Sequence, residues 1–513
     1  MIRRRGLTIA AAVALAAAAL TPQVAGAQTQ VTNKWVTTVL QAEPPDLEGC
    51  YSMANLQGAV LKQNVIETLI YKKAADGTLH PRLATGWERV QPDLWRIKLR
   101  NDVTFHDGQK FNAQAVKKSL DRVSSSAFVC RDRAKFLNDI KIEVTAVDDV
   151  TVDIKASRAD PIMPMRLAGI GIVGPNEPLD KKSLKPVGTG PYVVDRWESG
   201  QQILISRNAK YWGKAPAPDG MRYIWRSESS VRAAMVKLGE ADIAPSIAEQ
   251  DAVDPKTDVA FLNSETTFLR IDTTIPPLND KRVRLALNYA FDRDTVRGTI
   301  LSKDYVNATQ MVMPNIPGHN FEIDKRVRTY DPVKAKQLMA EAKAEGVPVD
   351  AEIWLYGRPA AYPEATEVAE AALTMYKAVG FNMKLKHLEP GEYARWNNKP
   401  FPEGRGPTIL QNSHDNAFGD AMFSLPYRYM CSDGNNSPMC DPKLDDEITR
   451  VALLSGEDRT KGLQEIFRRM YDDYVAEVWQ YHMVGYARVN PRVNFIPDVT
   501  TNNEVKAEDI TFK

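Results

Sequence analysis

The amino-acid sequence predicts an α/β fold, and three local patterns lead to that prediction. Short segments at 94–100 and 150–156 alternate apolar and polar residues, as half-buried strands do. Other segments repeat apolar residues at helical spacing. The segment at 349–389 places a strand, a helix and a second strand in succession, which is typical of two parallel strands joined by a right-handed helical crossover.

Three further segments have apolar residues at the spacing of amphipathic helices: 111–123, 282–301 and 331–346. Asn112 is a candidate N-cap of the first helix. Asp331 is the candidate N-cap of the third, where Pro332 takes the first helical position. In the second, the core-facing stripe comprises Val283, Ala286, Leu287, Ala290 and Phe291. We expect these stripes to pack on the core of the protein.

The strand–helix–strand segment places an arginine where a ligand would be expected. Arg358 lies in the stretch "YGRPAAYP" at 356–363, after the first strand and before the helix that starts near Ala365. Ligands of open α/β sheets bind outside the carboxyl ends of the strands. Arg358 is therefore a candidate ligand contact, and a solvated loop arginine is the alternative.

The N-terminus has the pattern of a signal peptide at residues 1–27. Three arginines precede an apolar run rich in alanine and leucine, and Ala25-Gly26-Ala27 forms a small-x-small cleavage site. An uncleaved membrane anchor is the alternative, but the apolar run is short for a span. The pattern predicts export to the periplasm by a cleaved signal peptide, and either the Sec or the twin-arginine route stays open.

The charge balance argues against a polyanionic partner. The full chain of 513 residues has 66 basic and 65 acidic residues, and the three arginines of the signal peptide leave 63 basic residues in the mature chain. A nearly neutral protein offers no electrostatic basis for binding nucleic acid or an anionic membrane.

The four cysteines are predicted to form disulfides, because an exported protein folds in an oxidising compartment. Cys431 and Cys440 flank a turn-rich stretch that could close a local loop, and the remaining pair is Cys50 with Cys130. Neither a close Cys-x-x-Cys nor a His-x-x-x-His spacing is present, so the sequence predicts no metal site.

The sequence has no catalytic motif that would indicate an enzyme. A G-x-S-x-G elbow, an H-E-x-x-H helix and a Walker phosphate loop are all missing from it. The six histidines have no metal-ligand spacing. We therefore expect neither catalysis nor a cofactor.

Five segments resemble, in order, the sequence blocks of the family 5 extracellular solute-binding proteins, which include the periplasmic dipeptide, oligopeptide and nickel receptors of ABC importers. The blocks extend over essentially the whole mature chain: "PRLATGWERVQPDLWRIKLRNDVTFHDGQKFNAQAVKKSLDRV" (81–123), "KPVGTGPYVVDRWESGQQILISRNAKYW" (185–212), "VRAAMVKLGEADI" (231–243), "NDKRVRLALNYAFDRD" (279–294) and "YDPVKAKQLMAEA" (330–342).

This resemblance implies a two-lobed periplasmic binding protein with a hinge between the lobes and an extra subdomain inserted in the first lobe. The implied division is a first lobe of 28–70, 187–271 and 487–513, an inserted subdomain of 71–186, and a second lobe of 272–486. Two chain crossings, near 270–273 and 485–489, would form the hinge. Ligand contacts to both lobes would stabilise the closed form.

The resemblance also implies ligand contacts. Arg358 corresponds to the arginine that holds a ligand carboxylate in dipeptide receptors, and Asp415, in the stretch 412–423, best matches the aspartate that meets the α-ammonium of the peptide. The first-lobe loop at 43–55 would supply Tyr51. An aspartate that only caps its own loop is the alternative for Asp415.

The chain departs from the family pattern beside Asp415. Peptide receptors of the family tend to have Gly-Trp before the aspartate and Asp-Pro-Asp after it, whereas this chain has Asn412-Ser413-His414 and Gly419-Asp420-Ala421. Asn412 and His414 are therefore candidate ligand contacts, and His414 could instead bond a neighbouring carbonyl. The departure puts dipeptide specificity in question.

The sequence thus predicts a monomeric periplasmic receptor that captures a small peptide-like or carboxylate-bearing solute for the permease subunits of an ABC importer. A nickel chelate, an opine or a sugar-derived acid are alternative ligands. A periplasmic hydrolase is the alternative outside the class of binding proteins.

Overall fold

The computed structural model describes residues 34–51, 55–137, 139–183, 185–359, 361–431, 434–497 and 505–513. The predicted signal peptide lies outside these residues. Strands and helices alternate along the described chain, as predicted for an α/β protein. No helix of the described ranges combines the length and the apolar character needed to cross a membrane.

The strands, in chain order, are β1 (Trp35–Leu40), β2 (Ile70–Lys72), β3 (Leu79–Pro81), β4 (Ala84–Gln91), β5 (Leu94–Leu99), β6 (Ile142–Asp148), β7 (Thr151–Ala156), β8 (Tyr192–Glu198), β9 (Gln202–Arg207), β10 (Gly220–Trp225), β11 (Ile243–Ile247), β12 (Asp258–Ile271), β13 (Val306–Asn307), β14 (Ile353–Gly357), β15 (Met383–His387), β16 (Thr408–Asp415), β17 (Glu477–Val489), β18 (Val493–Asn494) and β19 (Thr511–Phe512).

The α-helices, in chain order, are α1 (Asn55–Leu61), α2 (Ala113–Ser124), α3 (Arg131–Phe136), α4 (Met163–Gly169), α5 (Ser229–Leu238), α6 (Lys281–Ala290), α7 (Arg293–Thr299), α8 (Phe321–Asp324), α9 (Pro332–Ala344), α10 (Ala365–Ala378), α11 (Pro390–Asn397), α12 (Leu425–Tyr429), α13 (Pro442–Ala452) and α14 (Gly456–Arg469).

One large mixed sheet organises most of the strands. Its order is β15-β14-β16-β12-β17-β11-β1-β10-β9-β8, with β13 paired to β17. The long strands β12 and β17 pair with each other along much of their length, and β12 also pairs with β16 while β17 also pairs with β11. These two strands therefore lie in the middle of the sheet and join its two halves.

A second, four-stranded antiparallel sheet has the order β4-β5-β7-β6. Helix α2 packs on it and shares a hydrophobic core with it. Asn112 caps this helix by accepting a hydrogen bond from the backbone N–H of Ala115, as predicted.

The predicted strand–helix–strand unit is β14, α10 and β15. Strand β14 pairs in parallel with β15 on one side and with β16 on the other. Because the three strands run in the same direction, their carboxyl ends meet at one edge of the sheet. The unit begins at Ile353, so Val349 and Ala351, which continue the alternating pattern in sequence, precede the strand.

The predicted helix at 331–346 is α9, with Asp331 as N-cap and Pro332 at its first position. The helix predicted from the apolar stripe at Val283–Phe291 is α6, and a second helix, α7, follows it in the same segment. The helix α6 ends at Ala290, and the Asp292 side chain accepts a hydrogen bond from the backbone N–H of Thr295 to begin α7. Asp292 is therefore the N-cap of a new helix, and it separates α7 from α6.

Candidate functional site at the carboxyl ends of the parallel strands

Arg358 directly follows β14 at the edge where the parallel strands end. Its backbone N–H donates to the Gln411 side chain over 2.8 Å, which ties the loop to β16. Its guanidinium lies 4.7 Å from the ring centre of Tyr393, a buried residue of α11. Among the described residues, no carboxylate forms an ion pair with Arg358. The arginine therefore has an oriented positive charge that no described carboxylate pairs with directly.

Asp415 is the last residue of β16, so it lies at the same edge of the sheet as Arg358. One carboxylate oxygen accepts a hydrogen bond from the backbone N–H of Ala417 over 2.7 Å, as in an Asx turn. The other lies 3.2 Å from the ammonium of Lys135 in α3. Asp415 thus both caps its own turn and pairs with a cation 280 residues away in the sequence.

Glu265 adds a second carboxyl group to this edge. It stands opposite Asp415 where β12 pairs with β16. Burial first and the Asp415 carboxylate second raise the pKa of Glu265 to about 7, while Arg358 and Lys135 oppose the shift. Below pH 7 Glu265 is mostly neutral, and the edge then has two cations against one carboxylate.

An aromatic ring lies next to the Lys135 ammonium, and two more rings pack against that ring. The ammonium lies 5.0 Å from the ring centre of Phe418, and Phe418 stacks on Phe423 with ring centres 4.3 Å apart. The buried ring of Phe136 packs edge-on against the Phe418 ring. Phe136 is the residue that follows Lys135 in α3. A carboxylate and an aromatic face are the groups that proteins use to bind ammonium ions.

A small pocket lies beside these rings, between β2, α3, α4 and the turn that follows β16. Its lining combines two lysines with apolar side chains: Lys62, Gln63, Tyr71, Lys72, Phe136, Met165, Ala168, Gly169, Ala417 and Phe418. The Lys72 ammonium donates to the carbonyl oxygen of Ala417 over 3.3 Å. The basic character of the site therefore extends from Arg358 and Lys135 into this pocket.

The structure does not bring His414 to this site. Residues 412–415, the first part of the stretch 412–423, form the end of β16, and consecutive residues of a strand point to opposite faces. His414 is 3% exposed, and its Nδ1 has no hydrogen-bond partner among the described residues. Burial and the nearby charge of Arg428 hold the pKa of His414 well below its usual range.

Asn412 lies on the same face of β16 as His414 and is also buried. Its side-chain amide donates to the Asn397 side chain over 3.0 Å, and its oxygen accepts from the backbone N–H of Ser413. Its polar atoms are therefore engaged in joining β16 to α11.

Tyr51 has its contacts with residues other than Arg358 and Asp415. Its hydroxyl donates to the carbonyl oxygen of Val129 over 3.2 Å, and its ring lies 4.5 Å from the ammonium of Lys182. The nearby disulfide Cys50–Cys130 joins this turn to the start of α3. The second disulfide is Cys431–Cys440, so both pairs expected from the sequence are present.

Sequence reasoning missed Lys135, Glu265, Tyr393 and Phe418. Three of them are distant in sequence from both Arg358 and Asp415, so only the folded sheet brings them together. Glu265 could have been found if the pairing of β12 with β16 had been known. Within the described ranges, no group of three or more His, Cys, Asp or Glu side chains is arranged to hold a metal ion.

Comparisons with known proteins identify the family. The model for bacterial extracellular solute-binding proteins, family 5 Middle, matches residues 78–436. The chain is 27% identical over 406 residues to the dipeptide-binding protein of Escherichia coli (strain K12), covering 72% of this chain and 74% of that protein. It is 30% identical over 259 residues to the glutathione-binding protein GsiB of Shigella flexneri, covering 48% of this chain and 50% of that protein.

The structure of HbpA2 from Haemophilus parasuis has the same fold. The two superpose with a TM-score of 0.82 at 20% identity, over 93% of this chain and 99% of that chain. The predicted two-lobed α/β fold of periplasmic binding proteins is thereby confirmed. Since the family model matches well over half of the residues, the chain belongs to the bacterial extracellular solute-binding proteins, family 5.

Proposed function

We propose that this solute-binding protein captures a small peptide-like or carboxylate-bearing solute in the periplasm and presents it to the permease subunits of an ABC importer. The observation that carries the proposal is Arg358, a guanidinium at the carboxyl edge of the parallel strands with no carboxylate partner among the described residues. Two similar proteins are named for a dipeptide and for glutathione, both of which are peptides that carry carboxylates.

An arginine suits this role for physical reasons. Its planar guanidinium presents two parallel N–H donors to a carboxylate, and it keeps its charge at every physiological pH. The Tyr393 ring supports the guanidinium from one side, so part of the ordering cost of binding is met before the ligand arrives. The carboxylate of the solute would then pair with a guanidinium that has no ion pair with a described carboxylate.

We further propose that the solute is held by closure of two lobes, with no bond made or broken. The first lobe would comprise 28–70, 187–271 and 487–513, with 71–186 inserted in it, and the second lobe would comprise 272–486. Strands β12 and β17 would serve as the two crossings, which is supported by their central place in the large sheet, where β12 pairs with β16 on one side and β17 pairs with β11 on the other. Closed protein would be the form that the importer recognises.

A thermal-shift panel tests this proposal. The purified mature protein is heated with a dipeptide, an opine, a sugar-derived acid, a neutral sugar and a nickel–histidine chelate. A ligand at a hundredfold excess over its Kd stabilises the folded state by about 2.7 kcal/mol, which raises the melting temperature measurably. We expect at least one carboxylate-bearing compound to raise it and the neutral sugar to leave it unchanged.

Two results would contradict the proposal. A shift caused only by the neutral sugar would show that Arg358 is not the anchor of the ligand. Turnover of a peptidase or esterase substrate by the purified protein, with no shift from any compound, would favour a periplasmic hydrolase.

A further inference from the structure

By the family resemblance, Asp415 would receive the α-ammonium of the ligand. In this structure an ammonium of the chain itself lies beside Asp415. The Lys135 Nζ lies 3.2 Å from Asp415 Oδ2. The other oxygen of Asp415 is engaged by the backbone N–H of Ala417. Both oxygens of the expected ammonium acceptor therefore have a donor before any solute arrives.

The Lys135 ammonium is held by more than this ion pair. The Phe418 ring lies below it at 5.0 Å, and that ring is fixed by its stack on Phe423. Lys135 thus contacts one carboxylate and one aromatic face, the two groups that bind an ammonium ion, in a partly exposed ion pair. An incoming ammonium would have to displace a like charge from this site, and juxtaposed like charges are unfavourable.

The backbone of Lys135 is also anchored. Cys130 is the N-cap of helix α3, and its sulfur accepts a hydrogen bond from the backbone N–H of Arg133 and forms the disulfide to Cys50. At the other end of α3, the Phe136 side chain is 1% exposed. The Lys135 side chain therefore extends to Asp415 from a helix that is held in place at both ends.

From these contacts we propose that Lys135 determines the specificity of the receptor by filling the ammonium subsite. The solute that fits is one that carries a carboxylate for Arg358 but has no free α-ammonium: an N-acylated peptide or amino acid, or an amine-free organic acid. This inference rests on the proposed function, since it names the solute class of the same site. Lys135 and Arg358 together give the site two cations that favour an anionic solute.

Matched pairs of compounds test the inference by isothermal titration calorimetry. Each pair consists of a free dipeptide and its N-acetyl derivative, beginning with alanyl-alanine, and is extended with alanine against lactate. We expect the wild-type protein to bind the amine-free member about ten- to hundredfold more tightly, the range of one charge-assisted hydrogen bond. In Lys135→Met, which keeps the apolar chain over Phe418, Asp415 becomes available to the amine of a ligand. The ratio of the affinity for the amine-free compound to that for the free amine is therefore expected to fall at least tenfold.

Lys141→Met is the matched control, because this lysine follows the same helix in sequence and its side chain is exposed to solvent. The ratio of the two affinities in this control variant should equal that of the wild type. Preference of the wild type for the free amines, or a ratio that Lys135→Met leaves unchanged while binding persists, would overturn the inference and leave the proposed function intact. Failure of both proteins to bind any carboxylate of the panel would instead overturn the proposed function, and the inference with it.

Discussion

Replacing Arg122 by methionine is expected to lower the free energy of unfolding by about 3–5 kcal/mol, the cost of leaving a buried charge without its partner. The Arg122 side chain is 2% exposed, and the Glu48 side chain is fully buried. Two guanidinium nitrogens meet the two Glu48 oxygens at 2.6 and 3.0 Å, the bidentate geometry of a strong pair. Without the arginine, the Glu48 carboxylate would remain in the interior with no cation.

The same pair also joins segments that are far apart in the chain. Arg122, in α2, donates to the backbone carbonyls of Pro178 and Lys181. Glu48 accepts from the backbone N–H groups of Cys50 and Ser183. Removing the guanidinium therefore also breaks two partly buried hydrogen bonds to backbone carbonyls, which adds to the loss.

Urea unfolding of the wild type and Arg122→Met, followed by tryptophan fluorescence and circular dichroism, measures this effect. Arg96→Met is the control, because its partner Asp153 and the arginine itself are 17% and 34% exposed in their side chains. Such a pair contributes about 1 kcal/mol or less. Equal, small losses in the two variants would contradict a structural role for the buried pair.

Replacing Arg358 by lysine is expected to weaken binding of the best carboxylate from the thermal-shift panel by more than tenfold. A lysine keeps the charge but loses the planar fork, and the loss of one charge-assisted hydrogen bond costs about 1.5–3 kcal/mol. Arg358→Gln removes the charge as well and should weaken binding further. Since Arg358 is half-buried and has no ion pair with a described carboxylate, both ligand-free variants should melt close to the wild type.

Isothermal titration calorimetry with that compound checks the prediction, and Arg395→Gln provides the control. Arg395 belongs to α11, the helix that also supplies Tyr393, but its side chain is exposed. Its replacement should leave the affinity unchanged. Unaltered affinity in Arg358→Lys and Arg358→Gln would remove the arginine from the role of anchor while the family assignment stands.

Local structure near Arg358 could be predicted because its signals are local. The alternation before Gly357 and the helical stripe after Ala365 are contained in about 30 residues, and the parallel pairing of β14 with β15 follows from them. The N-caps Asn112 and Asp331 were likewise readable, because a cap depends on a side chain three residues from its partner.

The ion pair of Lys135 with Asp415 could not be predicted, because nothing in the local sequence links residues 280 positions apart. The burial of His414 in a strand could not be predicted for a different reason. Residues 412–415 are polar and precede a turn, so they resemble a loop in sequence, yet β12 supplies the hydrogen bonds that make them a strand. Strand alternation then places His414 and Asp415 on opposite faces.

The claim that Arg358 holds the carboxylate of the solute can be tested by a crystal structure. The protein would be crystallised with the panel compound that gives the largest thermal shift. The account predicts that two oxygens of the bound carboxylate lie about 2.8 Å from two guanidinium nitrogens of Arg358. A carboxylate bound elsewhere, with the Arg358 guanidinium still resting on Tyr393 and free of the ligand, would contradict it.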